Sequence, residues 1–164
     1  MTTTIGSTAS ATLTAQIVNP IIHATAETFE LMLDSQVKRT DLTVQSMETP
    51  LYDVSALIGL SGDAGGSICL SFKDDTAFKV VKHVLDMDVD EVDGLVCDAV
   101  GEFANIIAGS AKDKIKELKL KLGIPNVIQG KDHHISFPSN SQPLCASFES
   151  DLGPFKIAFG FVKK

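Results

Sequence analysis

Two runs of alternating apolar residues on either side of a glycine-rich break constrain this fold more than any other feature of the chain. Val54, Ala56, Ile58 and Leu60 occupy every second position before the break, and Ile68, Leu70 and Phe72 do the same after it. A period of two places each set on one side of an extended strand. Between them, Gly62-Asp63-Ala64-Gly65-Gly66 supplies residues that tolerate the positive φ of a reversal. The expected unit is a β-hairpin with one apolar face, and that face requires a covering layer.

The rest of the chain supplies such a layer. From Gln36 to Ser46 the pattern is extended, with Val37, Leu42 and Val44 among polar residues. Near the C-terminus Leu144, Ala146 and Phe148 alternate. Ser150 to Gly153 turns the chain, and Phe155, Ile157, Phe159 and Phe161 line a further strand face. Three helices are expected. The first covers Leu13 to Leu33, with Ile17, Ile21, Ala24, Thr28 and Leu31 at spacings of three and four and Pro20 marking its first turn. The second carries Ala77, Val80, Val81, Val84 and Leu85 behind the candidate N-caps Asp74 and Asp75. The third, from about Glu91 to Leu120, is expected to be the longest, ended by Gly123, Pro125 and Gly130. This order predicts an α+β, two-layer domain over residues 13–164: a mostly antiparallel sheet with the three helices packed on one face, the other face meeting solvent or a partner. Residues 1–12, rich in Thr, Ser and Ala, read as a flexible tail with neither the basic start nor the apolar centre of a secretory signal.

Composition excludes several classes of function. A formal net charge of −7, from 14 basic against 21 acidic residues, disfavours nucleic acid and anionic membrane as partners. No apolar run approaches the ~18 residues of a membrane span. Cys69, Cys97 and Cys145 are odd in number and lack CxxC spacing, so they read as buried thiols of a cytoplasmic protein. Adjacent His133 and His134 would point to opposite sides of a strand and not share an ion, and His23 and His83 read as helix-surface or boundary residues. Gly62 to Gly66 lacks the GK[ST] ending of a phosphate loop. The lysines at 112, 114, 116, 119 and 121 suit the C-terminal end of a helix dipole.

The third helix carries the chemistry. At about 100° per residue, Val96, Ala99, Val100, Phe103, Ile106, Ile107, Ser110 and Ala111 gather on one side. Asp98, Glu102, Asn105 and Gly109 fall on a second stripe pointing away from it, with Glu102 and Asn105 separated by roughly 60° around the axis. A carboxamide there can hold a water in line with an electrophile, and a carboxylate can anchor a cation on a partner. Gly101 and Gly109 each cost the helix roughly 1 kcal/mol relative to Ala, which fits close approach by a neighbour. Spacing alone leaves two readings open: a working polar face, or a solvated one.

The stretch Asp98-Ala-Val-Gly-Glu102-Phe-Ala-Asn105-Ile-Ile-Ala-Gly109-Ser-Ala resembles the signature helix of the CheC/CheX/FliY phosphatases, D-x-x-x-E-x-x-N-x-x-x-G-x-A. The hairpin from Tyr52 and the segment Leu122-Gly-Ile-Pro-Asn-Val-Ile-Gln-Gly are also similar to the CheX-type members, so the likeness runs from about Asn19 to the C-terminus. It implies dephosphorylation of a phosphorylated CheY-like response regulator, with Asn105 orienting the attacking water and Glu102 anchoring a lysine of the regulator. It implies no intrinsic cofactor, since the Mg²⁺ belongs to the regulator, and a homodimer joined through the sheets. CheC-type members carry a second such helix; here His23 and Ala26 stand where its Glu and Asn would be, which favours one site. The alternative is a non-catalytic module that docks on a receiver or flagellar-switch protein through the same face.

Overall fold

The hairpin residues form the middle of a seven-stranded sheet. The computed structural model describes residues 5–46 and 50–164, and of residues 5–12, 14 and 15 the backbone only. The element order is α1 (Ile5–Leu33), β1 (Val37–Val44), β2 (Val54–Gly62), β3 (Ala64–Phe72), α2 (Asp74–Leu85), α3 (Gly94–Lys114), β4 (Leu120–Leu122), β5 (Asn126–Gln129), β6 (Leu144–Ser150) and β7 (Gly153–Lys163). The strands are ordered β1-β6-β7-β3-β2-β4, and β5 shares the outer edge of β2 with β4. Every pairing is antiparallel.

The hairpin ladder runs from Val54 opposite Phe72 to Leu60 opposite Gly66. At its turn Gly62 has φ +115°, and a Cβ there would run into the Lys119 carbonyl. Asp63 fastens that approach: its N–H donates to the Lys119 oxygen at 2.9 Å, and its carboxylate accepts the Lys119 N–H at 2.8 Å. The chain leaving α3 is thereby tied to the hairpin.

All three helices lie on one face, where Val54, Ala56, Ile58, Phe72, Phe155, Ile157 and Phe159 form one core with their apolar sides. Phe29 of α1 stacks on Phe155 with ring centroids 4.3 Å apart, and Phe148 stacks on Phe155 at 4.9 Å. The second face does not wait for solvent or a partner over its whole area. Ile135 and Phe137 of the segment after β5 pack there on Leu51, Cys69, Cys145 and Ala158.

Several elements differ from the sequence reading, each for a physical reason. Of the expected tail, residues 1–4 lie outside the described residues, while the backbone is helical from Ile5 onward. Pro20 sits inside α1 and not in its first turn, so one intrahelical hydrogen bond is missing there. Beyond it the buried side moves round to Thr25, Phe29 and Leu33, leaving Leu31 84% exposed. With 29 residues α1 is longer than α3, which has 21 and stops at Lys114. Leu120, taken as the helix end, begins a strand against Gly62. Lys73, not an aspartate, occupies the N-cap of α2. Asp74 and Asp75 lie in the first turn, and Asp53 Oδ2 accepts the Asp74 N–H at 3.0 Å. Partial burial, with repulsion from Asp53, pushes the Asp74 carboxyl above its usual range.

Candidate functional site

Asp93 starts α3 where the site needs it to start. Its extended backbone and its Oδ1, which accepts the Val96 N–H at 3.1 Å, form an N-cap that fixes the first turn. Val96, Val100, Phe103, Ile107 and Ala111 are then buried against the sheet and α1. Phe103 meets Phe29 edge-on with centroids 5.1 Å apart. Burying this stripe turns the other side of the helix outward. Asp98 and Glu102 are exposed, and Asn105 and Gly109 are half-buried. The structure therefore places the four stripe residues as the periodicity predicts. Neither Glu102 nor Asn105 is engaged in an ion pair or side-chain hydrogen bond among the described residues. Both are available to a second molecule.

The two helix glycines have different surroundings. At Gly101 a Cβ would stand 3.3 Å from Val127 Cγ2 and 3.7 Å from the Pro125 ring, so this glycine admits the segment that carries β5. At Gly109 a Cβ would meet only Leu122 Cδ1, at an ordinary 3.6 Å. The protein's own packing has room for a methyl group there.

The first helix carries no equivalent site. It lies antiparallel to α3, as the Phe29–Phe103 contact, a cavity lined by both Ile17 and Ile115 at one end and a groove lined by both Met32 and Leu95 at the other require. His23 is exposed and Ala26 half-buried, and neither side chain offers a carboxylate or an amide. Glu27 faces α3 and pairs with Lys114 at 3.0 Å.

The residues set aside in the sequence find structural positions. His133 lies in a loop and not a strand: its Nδ1 is 2.8 Å from the Gly130 carbonyl and its Nε2 2.6 Å from Ser55 Oγ. Since a carbonyl only accepts, Nδ1 carries a proton toward Gly130, and Nε2 shares a hydrogen bond with the Ser55 hydroxyl, which also bonds Ser71 Oγ at 2.8 Å. This pins the covering segment to the sheet. His23, His83 and His134 are exposed. Cys69 and Cys145 are buried as expected, and burial pushes the Cys69 thiol up to about 12. Cys97 departs from that expectation: it is half-buried, its thiol pushed up by partial desolvation and by the charges of Asp98 and Asp93. No group of three or more His, Cys, Asp or Glu among the described residues is placed to hold a metal ion. No helix of the described residues is long and apolar enough to cross a membrane.

Sequence reasoning missed the apolar border of this face. Val84 and Leu85, read only as apolar residues of the second helix, are each 41% exposed. The signal was present, since the apolar run at the end of that helix is wider than the core it meets.

Comparison with known proteins agrees with this fold. The family described as chemotaxis phosphatase CheX matches residues 54–149, from β2 into β6. The CheY-P phosphatase CheX of Thermotoga maritima is 34% identical over 122 residues, covering 72% of this chain and 78% of that protein. The crystal structure of a chemotaxis protein CheX from Desulfovibrio desulfuricans superposes with a TM-score of 0.79 at 31% identity, covering 87% of this chain and 97% of that one. A similar fold, with a TM-score of 0.76 at 22% identity and 90% and 98% coverage, occurs in the Borrelia burgdorferi CheX-CheY-BeF3-Mg²⁺ complex. With its α3 signature outward and more than half its length matched, the chain belongs to the chemotaxis phosphatase CheX family.

Proposed function

We propose that this protein hydrolyses the aspartyl phosphate of a CheY-like response regulator in the cytoplasm, using one face of α3. The observation that carries the reading is the exposure of Glu102 and the half-exposed Asn105, side by side on one helix and without internal partners among the described residues. In this reaction a water attacks phosphorus, the bond to the aspartyl oxygen breaks, and the regulator's carboxylate and inorganic phosphate are released. Asn105, with donors and an acceptor on one amide, orients the water in line with the leaving oxygen. Glu102 pairs with a cation of the regulator and sets the register of Asn105 against the phosphoryl group. The Mg²⁺ rides on the regulator, as the composition of the Borrelia complex supports. Positioning and electrostatics supply most of the catalysis in phosphoryl transfer, so two side chains on a rigid helix are sufficient equipment.

The test is the decay of a phosphorylated CheY-type receiver in Mg²⁺, followed with and without the protein. Acceleration by the wild type and near-background decay with Asn105→Ala are expected. An intact acceleration in Asn105→Ala would remove the water-orienting role. Glu102→Ala is expected to raise KM by about tenfold or more while leaving most of kcat, as loss of a charged contact does.

A homodimer joined through the sheet accompanies this reading. The terminal strand β1 offers an edge that no other described strand covers. Sedimentation of the purified protein decides between one copy and two.

A further inference from the structure

Asp98 and Glu102 also form the acidic rim of an apolar groove of about 290 Å³, whose other side is built by α1 and α2. Ile106 of α3 lies within it, and Met32, Val84 and Leu85 face it from the neighbouring helices. These last three are 37%, 41% and 41% exposed, an unusual share of water contact for side chains of this kind. Among the described residues, the only titratable groups lining the groove are the two carboxylates.

We propose that this groove receives an apolar side chain of the phosphorylated receiver, beside the cation that Glu102 holds. The inference rests on the proposed function and extends its interface. Glu102 belongs to both surfaces, so a partner that pairs with Glu102 covers the groove in the same encounter. The lining selects for that occupant: an apolar group next to a Lys or Arg matches an apolar floor with an acidic rim. An anionic lipid surface is repelled by the same rim. A second copy of this chain seated here would bury Glu102 and block the site. The groove thus supplies affinity, and Asn105 supplies turnover.

The experiment separates these contributions. The double variant Val84→Ser/Leu85→Ser changes exposed positions, and Val84→Thr keeps the shape of the side chain while adding a hydroxyl. Each is assayed for KM and kcat on the phosphorylated receiver. Each is also combined with Asn105→Ala and titrated with beryllofluoride-activated receiver, which reads binding without turnover. KM and Kd are expected to rise ~10-fold in the double variant, with a smaller rise for Val84→Thr and kcat within about twofold. Unchanged KM and Kd, with an active wild type, overturn the groove and leave the proposed function standing. A shift in oligomeric state with unchanged KM assigns the groove to a second copy and overturns it equally. A wild type that neither binds nor dephosphorylates the receiver overturns the proposed function and this inference together.

Discussion

The ring of Phe103 stands at 89° to that of Phe29, with centroids 5.1 Å apart. This edge-on contact, backed by Phe72 at 6.5 Å, fixes the roll of α3 about its own axis. Glu102 is the preceding residue and Asn105 follows by two, so a small rotation of the helix would re-aim both.

Phe103→Ala is therefore expected to cost about 3–5 kcal/mol of stability, the range for removing a buried aromatic ring. Phe103→Leu should lose less stability but still lower kcat, because a leucine cannot reproduce the perpendicular contact. Denaturant melts together with receiver dephosphorylation check both. A folded Phe103→Leu with wild-type kcat would show that the ring does not set the aim of Asn105.

The helix glycines give a prediction in which stability and activity part. Gly109→Ala is expected to stabilise the fold by about 0.5–1 kcal/mol, since its Cβ has room and the helix loses a poor former. The same methyl narrows the surface one turn from Asn105 and should reduce dephosphorylation. Gly101→Ala gains less stability, because its Cβ presses on Val127 at 3.3 Å. Thermal melts should place Gly109→Ala above Gly101→Ala, and the reverse order would contradict the packing described.

Asp93 holds the first turn of α3 through the Val96 N–H. Asp93→Ala is expected to cost ~1 kcal/mol, and Asp93→Ser to recover most of it. Hydrogen exchange localises the effect: amides of the first turn should lose protection before those near Asn105.

The three thiols should behave differently toward iodoacetamide. Cys69 and Cys145 are buried with raised pKa values and should stay unlabelled in the native protein. Cys97 is reachable, but its thiol is pushed up by desolvation and by Asp98 and Asp93, so little thiolate exists at pH 7.5. Its labelling should be slow there and still climbing at pH 9. Peptide mapping that finds rapid labelling at neutral pH would contradict the described environment.

The parts legible in the sequence were those with a period. The hairpin and β7 alternate over many residues, and one covered sheet face fixes their register. The outward stripe of α3 was legible for the same reason. What escaped has no period of its own. β4 and β5 contain three and four residues and exist because β2 offers them an edge. The start of α1 runs through Thr, Ser and Ala without an apolar rhythm, and Pro20 reads as a boundary although its helix continues on both sides. Asp53, just before β2, accepts the first N–H of α2, and His133 reaches Ser55 across 78 positions. Such tertiary hydrogen bonds leave no local mark. The apolar border at Met32, Val84 and Leu85 needed three helices brought together before it could be seen.

The position of Asn105 in the middle of a 21-residue helix has a thermodynamic consequence. A reactive group on a surface loop must order its backbone on docking, at roughly 1–2 kcal/mol per residue. Here the backbone is already ordered, and only a few rotamers remain to be selected when a partner arrives. On the proposed function, the protein acts as a preformed probe, and any conformational gate in the encounter belongs to its partner.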